Sequence, residues 1–126
     1  MTANKPPYAS ASVRDHVLVI KILLKEIRDP KVSYELRDEI SSLFNSVEVR
    51  HVVVDLGQVT FMGSIGLLAL LAVRRSVAPG RMVICNLSKA IREMLELCLL
   101  VSNDPTKTAP FEAVPTLDEA LARLTE

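Results

Sequence analysis

The sequence predicts an α/β fold: a single mixed, largely parallel sheet of about five strands with about four helices against it. Two apolar runs, EVRHVVVDL at residues 48–56 and RMVICNL at residues 81–87, lack the alternation of a half-exposed strand and suit the middle of a sheet. Between and around them, apolar residues recur at helical spacing, as in Val32, Leu36, Ile40, Leu43 and Phe44. Strands separated by single helices return to the same sheet in parallel, through right-handed crossovers.

Residues 1–7, with Pro6 and Pro7 beside small polar residues, read as a flexible lead-in, and residues 8–126 as a single domain. ASVRDHVLVIKILL gives a short strand through Val13, a turn at Arg14 and Asp15, and a second strand over residues 16–24, together a hairpin. Asp29 and Pro30 then break the pattern and the first amphipathic helix begins. A second helix is expected over residues 64–76, with Leu67, Leu70, Leu71 and Val73 on its buried face. Pro79 and Gly80 make the turn that ends it. Ser88 is placed to cap a third helix whose Ile91, Met94, Leu95 and Cys98 point inward. After a loop at residues 102–110, FEAV forms a short edge strand. Thr116 with Glu119 makes a capping-box pattern for a last helix carrying Leu117, Ala120, Leu121 and Leu124.

Composition narrows the function. Lys plus Arg and Asp plus Glu both number 15, which leaves no basic field for nucleic acid, so no nucleic-acid partner is expected. The same neutrality, with a high aliphatic content, favours weak self-association into a homo-oligomer. Cys85 and Cys98 lie in apolar patterns without zinc-site spacing and read as two buried, reduced thiols, which fits a cytoplasmic location. MTANKPPYAS has no apolar signal core. The longest hydrophobic stretch, residues 65–73, falls well short of the roughly 20 residues that span a bilayer, so no membrane insertion is expected.

Enzyme chemistry finds little support. GQVTFMGSIG carries Gly57, Gly63 and Gly66 in neither the dinucleotide nor the phosphate-loop spacing, and it has no lysine. GSIG also differs from the hydrolase elbow, whose glycines stand two residues to either side of the serine. His16 and His51 lie in or beside strands and read as structural residues. Glu35, Asp38 and Glu39 fit the solvated face of the first helix, and Asp55 fits a turn that satisfies backbone amides. No cofactor or metal is expected.

Ser64 stands apart, a lone serine between glycines at the junction of two of the most hydrophobic segments. As a helix N-cap its hydroxyl would accept a bond from a free amide, worth about 1 kcal/mol against alanine. The same place gathers unpaired amides and the positive end of the helix dipole, so a phosphate on Ser64 would be accommodated.

VVVDLGQVTFMGSIGLLALL, residues 52–71, together with MVICNLSKAIREMLELCLL, residues 82–100, resembles the STAS domain. That family includes bacterial anti-sigma-factor antagonists and the cytoplasmic tails of some anion transporters. The resemblance rests on the order of elements, the DL strand end, the V-x-F-M approach, a serine at the helix start, and Gly66 with Leu67. It implies a protein-interaction domain, not an enzyme. Its partner would be an anti-sigma factor that is also a serine kinase, bound when the domain is unphosphorylated and released when it is phosphorylated. The family motif runs Asp-Ser-Ser-Gly or Asp-Ser-Thr-Gly, and Ser64 occupies the phosphorylated position. Gly63 replaces the aspartate, Ile65 replaces the second hydroxyl residue, and Arg28 falls near an aspartate of the kinase-docking surface. The resemblance thus implies Ser64 as the phosphorylation site and Gly63, Ser64, Ile65, Gly66, Leu67 and Arg28 as partner-binding residues. A STAS scaffold or transport-accessory protein that is never phosphorylated is the alternative, favoured by the lost aspartate and second hydroxyl.

Overall fold

The structure, a computed structural model, describes residues 7–98, 100–101 and 109–125. The lead-in expected at residues 1–7 lies outside them except for Pro7, as does the loop expected at 102–110 except for its last two residues. In chain order the elements are β1 (Ala9–Arg14), β2 (Val17–Ile22), β3 (Glu26–Ile27), α1 (Pro30–Asn45), β4 (His51–Asp55) and β5 (Phe61–Met62). They continue with α2 (Ser64–Val77), β6 (Met82–Cys85), α3 (Lys89–Leu97), β7 (Glu112–Val114) and α4 (Leu117–Leu124).

Five strands form one mixed sheet in the order β1-β2-β4-β6-β7, with β1 antiparallel to β2 and the other pairs parallel. The apolar runs of β4 and β6 occupy its interior, as their lack of alternation requires. The hairpin turn falls one residue later than expected: β1 keeps Arg14, and the turn is made by Asp15, at φ 56°, and His16. His16 is therefore a turn residue and not part of a strand; its carbonyl accepts the amides of Arg50 and His51 at 2.7 and 3.2 Å. The second strand also ends earlier, at Ile22.

Alternating residues of the sheet feed two cores. Leu18, Ile20, Val52, Val54, Met82 and Ile84 pack with residues of α1, α2 and α3, and Val17, Val19, Val53, Val83 and Cys85 pack under α4. Three helices thus cover one face and one covers the other. Each expected start signal but one is in place: Asp29 accepts the Lys31 amide, Ser88 that of Ile91 and Thr116 that of Glu119. On α2, Leu67, Leu70 and Val73 are buried as expected, and the departure is at Leu71. Gly66, Leu67, Ala69, Leu70, Val73 and Val77 are buried, whereas Leu71 is only half-buried, because about 100° per residue carries it to the flank of the stripe centred on Leu70. Cys98 is exposed, not buried, since α3 ends at Leu97 and leaves Cys98 as the cap beyond the inward pair Ile91 and Leu95. Cys85 is buried as expected, and burial pushes its thiol up to about 12.

Glu35 and Glu39 are not simply solvated. Glu39 accepts the amides of Tyr8 and Ala9 at 2.9 and 3.1 Å, and Glu35 accepts the Tyr8 hydroxyl at 2.8 Å. That hydrogen bond is the main reason the phenol is pushed up to about 12. The two carboxylates fasten the start of β1 to α1, while Asp38 stays exposed beside Arg37.

At the amino ends of the parallel strands, Nε of Arg81 donates to Glu112 at 2.9 Å and its Nη2 makes a second, short contact there. The Arg81 amide donates to Nδ1 of His51 at 2.9 Å. His51 is held below its ordinary range, first by desolvation and then by the Arg50 and Arg81 charges. Glu112 is held low chiefly by the Arg81 hydrogen bond. Both groups bind protons less tightly folded than unfolded, so their stabilisation is complete above the unfolded values and declines on acidification. Stability should fall as pH drops below about 6.5 through His51 and again below about 4.5 through Glu112. His51→Phe should flatten the first decline in a series of urea melts, and an unchanged slope would exclude His51 as its source.

Among the described residues, no helix is long and apolar enough to cross a membrane.

Candidate functional site

Two short strands absent from the sequence prediction build the site. β3 pairs in parallel with β5, Glu26 opposite Phe61 and Ile27 opposite Met62. The Lys25 carbonyl accepts the Thr60 amide at 2.7 Å, and the Ile27 carbonyl accepts the Gly63 amide at 2.8 Å. This ladder draws the backbone straight through Met62 and Gly63 and delivers it into α2, at the carboxyl end of the main sheet.

The ladder also corrects the expected cap. Gly63, extended at φ −85° and ψ 177°, is the N-cap of α2, and no side-chain bond caps the helix. Its carbonyl accepts the Leu67 amide at 3.1 Å, the first bond of the helix. Ser64 is already the first helical residue, exposed, and its hydroxyl does not serve as the cap. With Gly63 tied to Ile27, the change from extended to helical backbone falls between residues 63 and 64, one step earlier than a cap at Ser64 would put it.

The flanking glycines differ in purpose. A Cβ on Gly66 would lie 2.8 Å from Cγ2 of Ile27 and from Cγ of Met62, and 3.0 Å from the Ile27 carbonyl oxygen, so the first turn of α2 can sit on the β3–β5 pair only without a side chain there. A Cβ on Gly63 would meet the Arg28 backbone at an ordinary 3.8 Å, so no close approach requires glycine at this position. Of the residues expected to bind a partner, Gly66 and Leu67 are buried and support the surface from beneath, Gly63 and Ile65 are half-buried, and Ser64 and Arg28 are exposed.

Around Ser64 lie residues that the sequence reading did not single out for binding. Phe61 and Leu68 are 42% and 56% exposed, a large solvent exposure for side chains of this kind beside a helix start. The Arg28 guanidinium lies 4.4 Å from the centroid of the Phe61 ring, and its Nε is 3.3 Å from Glu26. Phe61 was legible only as the aromatic residue of the V-x-F-M approach; its exposure depends on the unforeseen β5. Asp55 has the turn role expected of it, its Oδ1 accepting the Gly57 amide at 2.8 Å.

A family model for the STAS domain matches residues 8–120. Among solved structures, an anti-sigma factor antagonist from Mycobacterium paratuberculosis is 27% identical, with a TM-score of 0.74 over 94% of this chain and 93% of that one. The phosphorylated form of Bacillus SpoIIAA is 21% identical, with a TM-score of 0.62 over 91% of this chain and 97% of that one. Part of the murine anion transporter Slc26a9 has the same fold, with a TM-score of 0.68 at 10% identity over 86% of this chain and 18% of the transporter. No curated protein matches the sequence. With the family model covering its sheet and helices from β1 into α4, the chain belongs to the STAS domain family.

Proposed function

We propose that the protein is an anti-sigma-factor antagonist that works in the cytoplasm by binding, not by catalysis. Its partner is an anti-sigma factor with serine-kinase activity, bound through Ser64, the half-buried Ile65 and the exposed Arg28, with Phe61 and Leu68 extending the contact. Phosphorylation of Ser64 ends the interaction. The observation that carries this is the state of Ser64: it is exposed at the start of α2, and its hydroxyl is not used as a cap. A phosphate there adds a charge of about −1.5 to −2 and three acceptor oxygens to the middle of an otherwise weakly charged contact surface. Likeness to anti-sigma-factor antagonists, one of them solved in a phosphorylated form, supports the choice of partner class.

Affinity capture from the native cell followed by mass spectrometry tests both halves. A kinase-like anti-sigma factor among the captured proteins and phosphate on Ser64 are expected; transporter subunits with Ser64 unmodified would overturn the proposal. That second outcome belongs to a STAS scaffold that is never phosphorylated, which the substitutions at Gly63 and Ile65 favour, since they remove an acidic and a hydroxyl group from the helix start.

A further inference from the structure

Resting on phosphorylation of Ser64, we propose that Arg28 takes up the phosphate in cis, its guanidinium leaving the Phe61 ring and the Glu26 carboxylate to pair with the phosphoserine. The β3–β5 ladder sets the two residues side by side. Its register, Glu26 with Phe61 and Ile27 with Met62, continues through the Gly63-to-Ile27 hydrogen bond, so Arg28 follows opposite Gly63. The two residues are in van der Waals contact: a Cβ on Gly63 would be 3.8 Å from Cα and 3.9 Å from Cβ of Arg28. Ser64 is the next residue along, and both side chains are exposed.

The present contacts of Arg28 are of a kind that a phosphate displaces. Its ion pair with Glu26 joins side chains that are 60% and 53% exposed, and such pairs are weak in water. The stack on Phe61 is likewise at the surface. A phosphate offers nearly twice the charge of a carboxylate and a set of oxygens that a guanidinium grips in bidentate fashion. Other charged groups beside Arg28 are less suitable. Lys25 stands at the opposite end of the ladder, across from Thr60, and Asp29 is an anion already bonded to the Lys31 amide. Modification would then do more than add charge: it would strip the guanidinium from Phe61 and leave a bare ring where an Arg-capped one had been.

Full-length protein with phosphoserine installed at position 64 during synthesis provides the test, in the parent, Arg28→Gln and Lys25→Gln backgrounds. Phosphorus NMR would follow the second ionisation of the phosphate, and proton NMR the Phe61 ring. In the parent that ionisation should lie roughly one unit below its value in Arg28→Gln, where it returns to about 6. Lys25→Gln should resemble the parent. The Phe61 resonances should move on phosphorylation in the parent but not in Arg28→Gln. Equal ionisation in parent and Arg28→Gln, or an equal effect of Lys25→Gln, would overturn the proposal. Because no kinase is needed to place the phosphate, failure here leaves the assignment of Ser64 as a phosphorylation site standing, while an unmodified Ser64 in cells removes that assignment and not the geometry.

Discussion

Gly80→Ala is expected to destabilise the protein by about 3 kcal/mol or more, at or beyond the upper end of the usual overpacking range. A Cβ on Gly80 would stand 1.8 Å from the carbonyl oxygen of Arg50 and 3.0 Å from that residue's carbonyl carbon and from the Val77 carbonyl oxygen. All of these are backbone atoms, so no rotamer change can relieve the overlap. Retreat of the turn is also obstructed on both sides: the Gly80 amide bonds to Val77 at 2.9 Å, and the next residue, Arg81, accepts the Val52 amide at 3.0 Å. Moving the turn would break the entry to β4 and β6, the two middle strands of the parallel part. Gly57→Ala is the control, because its closest neighbour, at 3.0 Å, is the movable side-chain oxygen of Asp55. A urea midpoint for Gly80→Ala close to that of the parent would show that the turn yields where the structure says it cannot.

Leu70→Ala should lose about 2 to 5 kcal/mol, the range for large-to-small changes in a packed core. Leu70 is 1% exposed within the larger of the two cores, whereas Leu71 packs against that core from the side. Leu71→Ala should therefore lose clearly less, since part of its surface is already in water and the space it leaves opens to solvent. Denaturation of the two variants side by side reads out the placement of Leu71. Equal losses, or a larger loss at Leu71, would return Leu71 to the buried face expected from sequence.

The pattern of the main sheet was legible because its signals are local. The continuous Val52-Val53-Val54 run and the MVIC run need two covered faces, and the caps at Ser88 and Thr116 follow from residue type and spacing alone. The site was less legible because non-local pairing makes it. Two residues cannot display a strand period, and β3 and β5 exist only because the chain near Glu26 meets the chain near Phe61, about 35 positions on. That meeting moves the cap from Ser64 to Gly63, gives Gly66 its steric necessity and lays Arg28 over Phe61. The same limit applies to Glu35 and Glu39: helical spacing places them on an outer face, but only the hairpin's position reveals that β1 lies beside that face. Cys98 was misplaced because the inward stripe was extended one residue past the end of α3.

The most direct measurement is partner binding by wild type, Ser64→Ala and Ser64→Glu, made with the anti-sigma factor recovered from cells and accompanied by thermal melts of each variant. Since the Ser64 hydroxyl does not serve as the cap, Ser64→Ala should melt within about 0.5 kcal/mol of wild type and bind as wild type does. Ser64→Glu should remain folded and lose binding by about tenfold or more, a change of about 1.4 kcal/mol. Equal binding by all three folded proteins would contradict a phosphate-controlled contact at the start of α2.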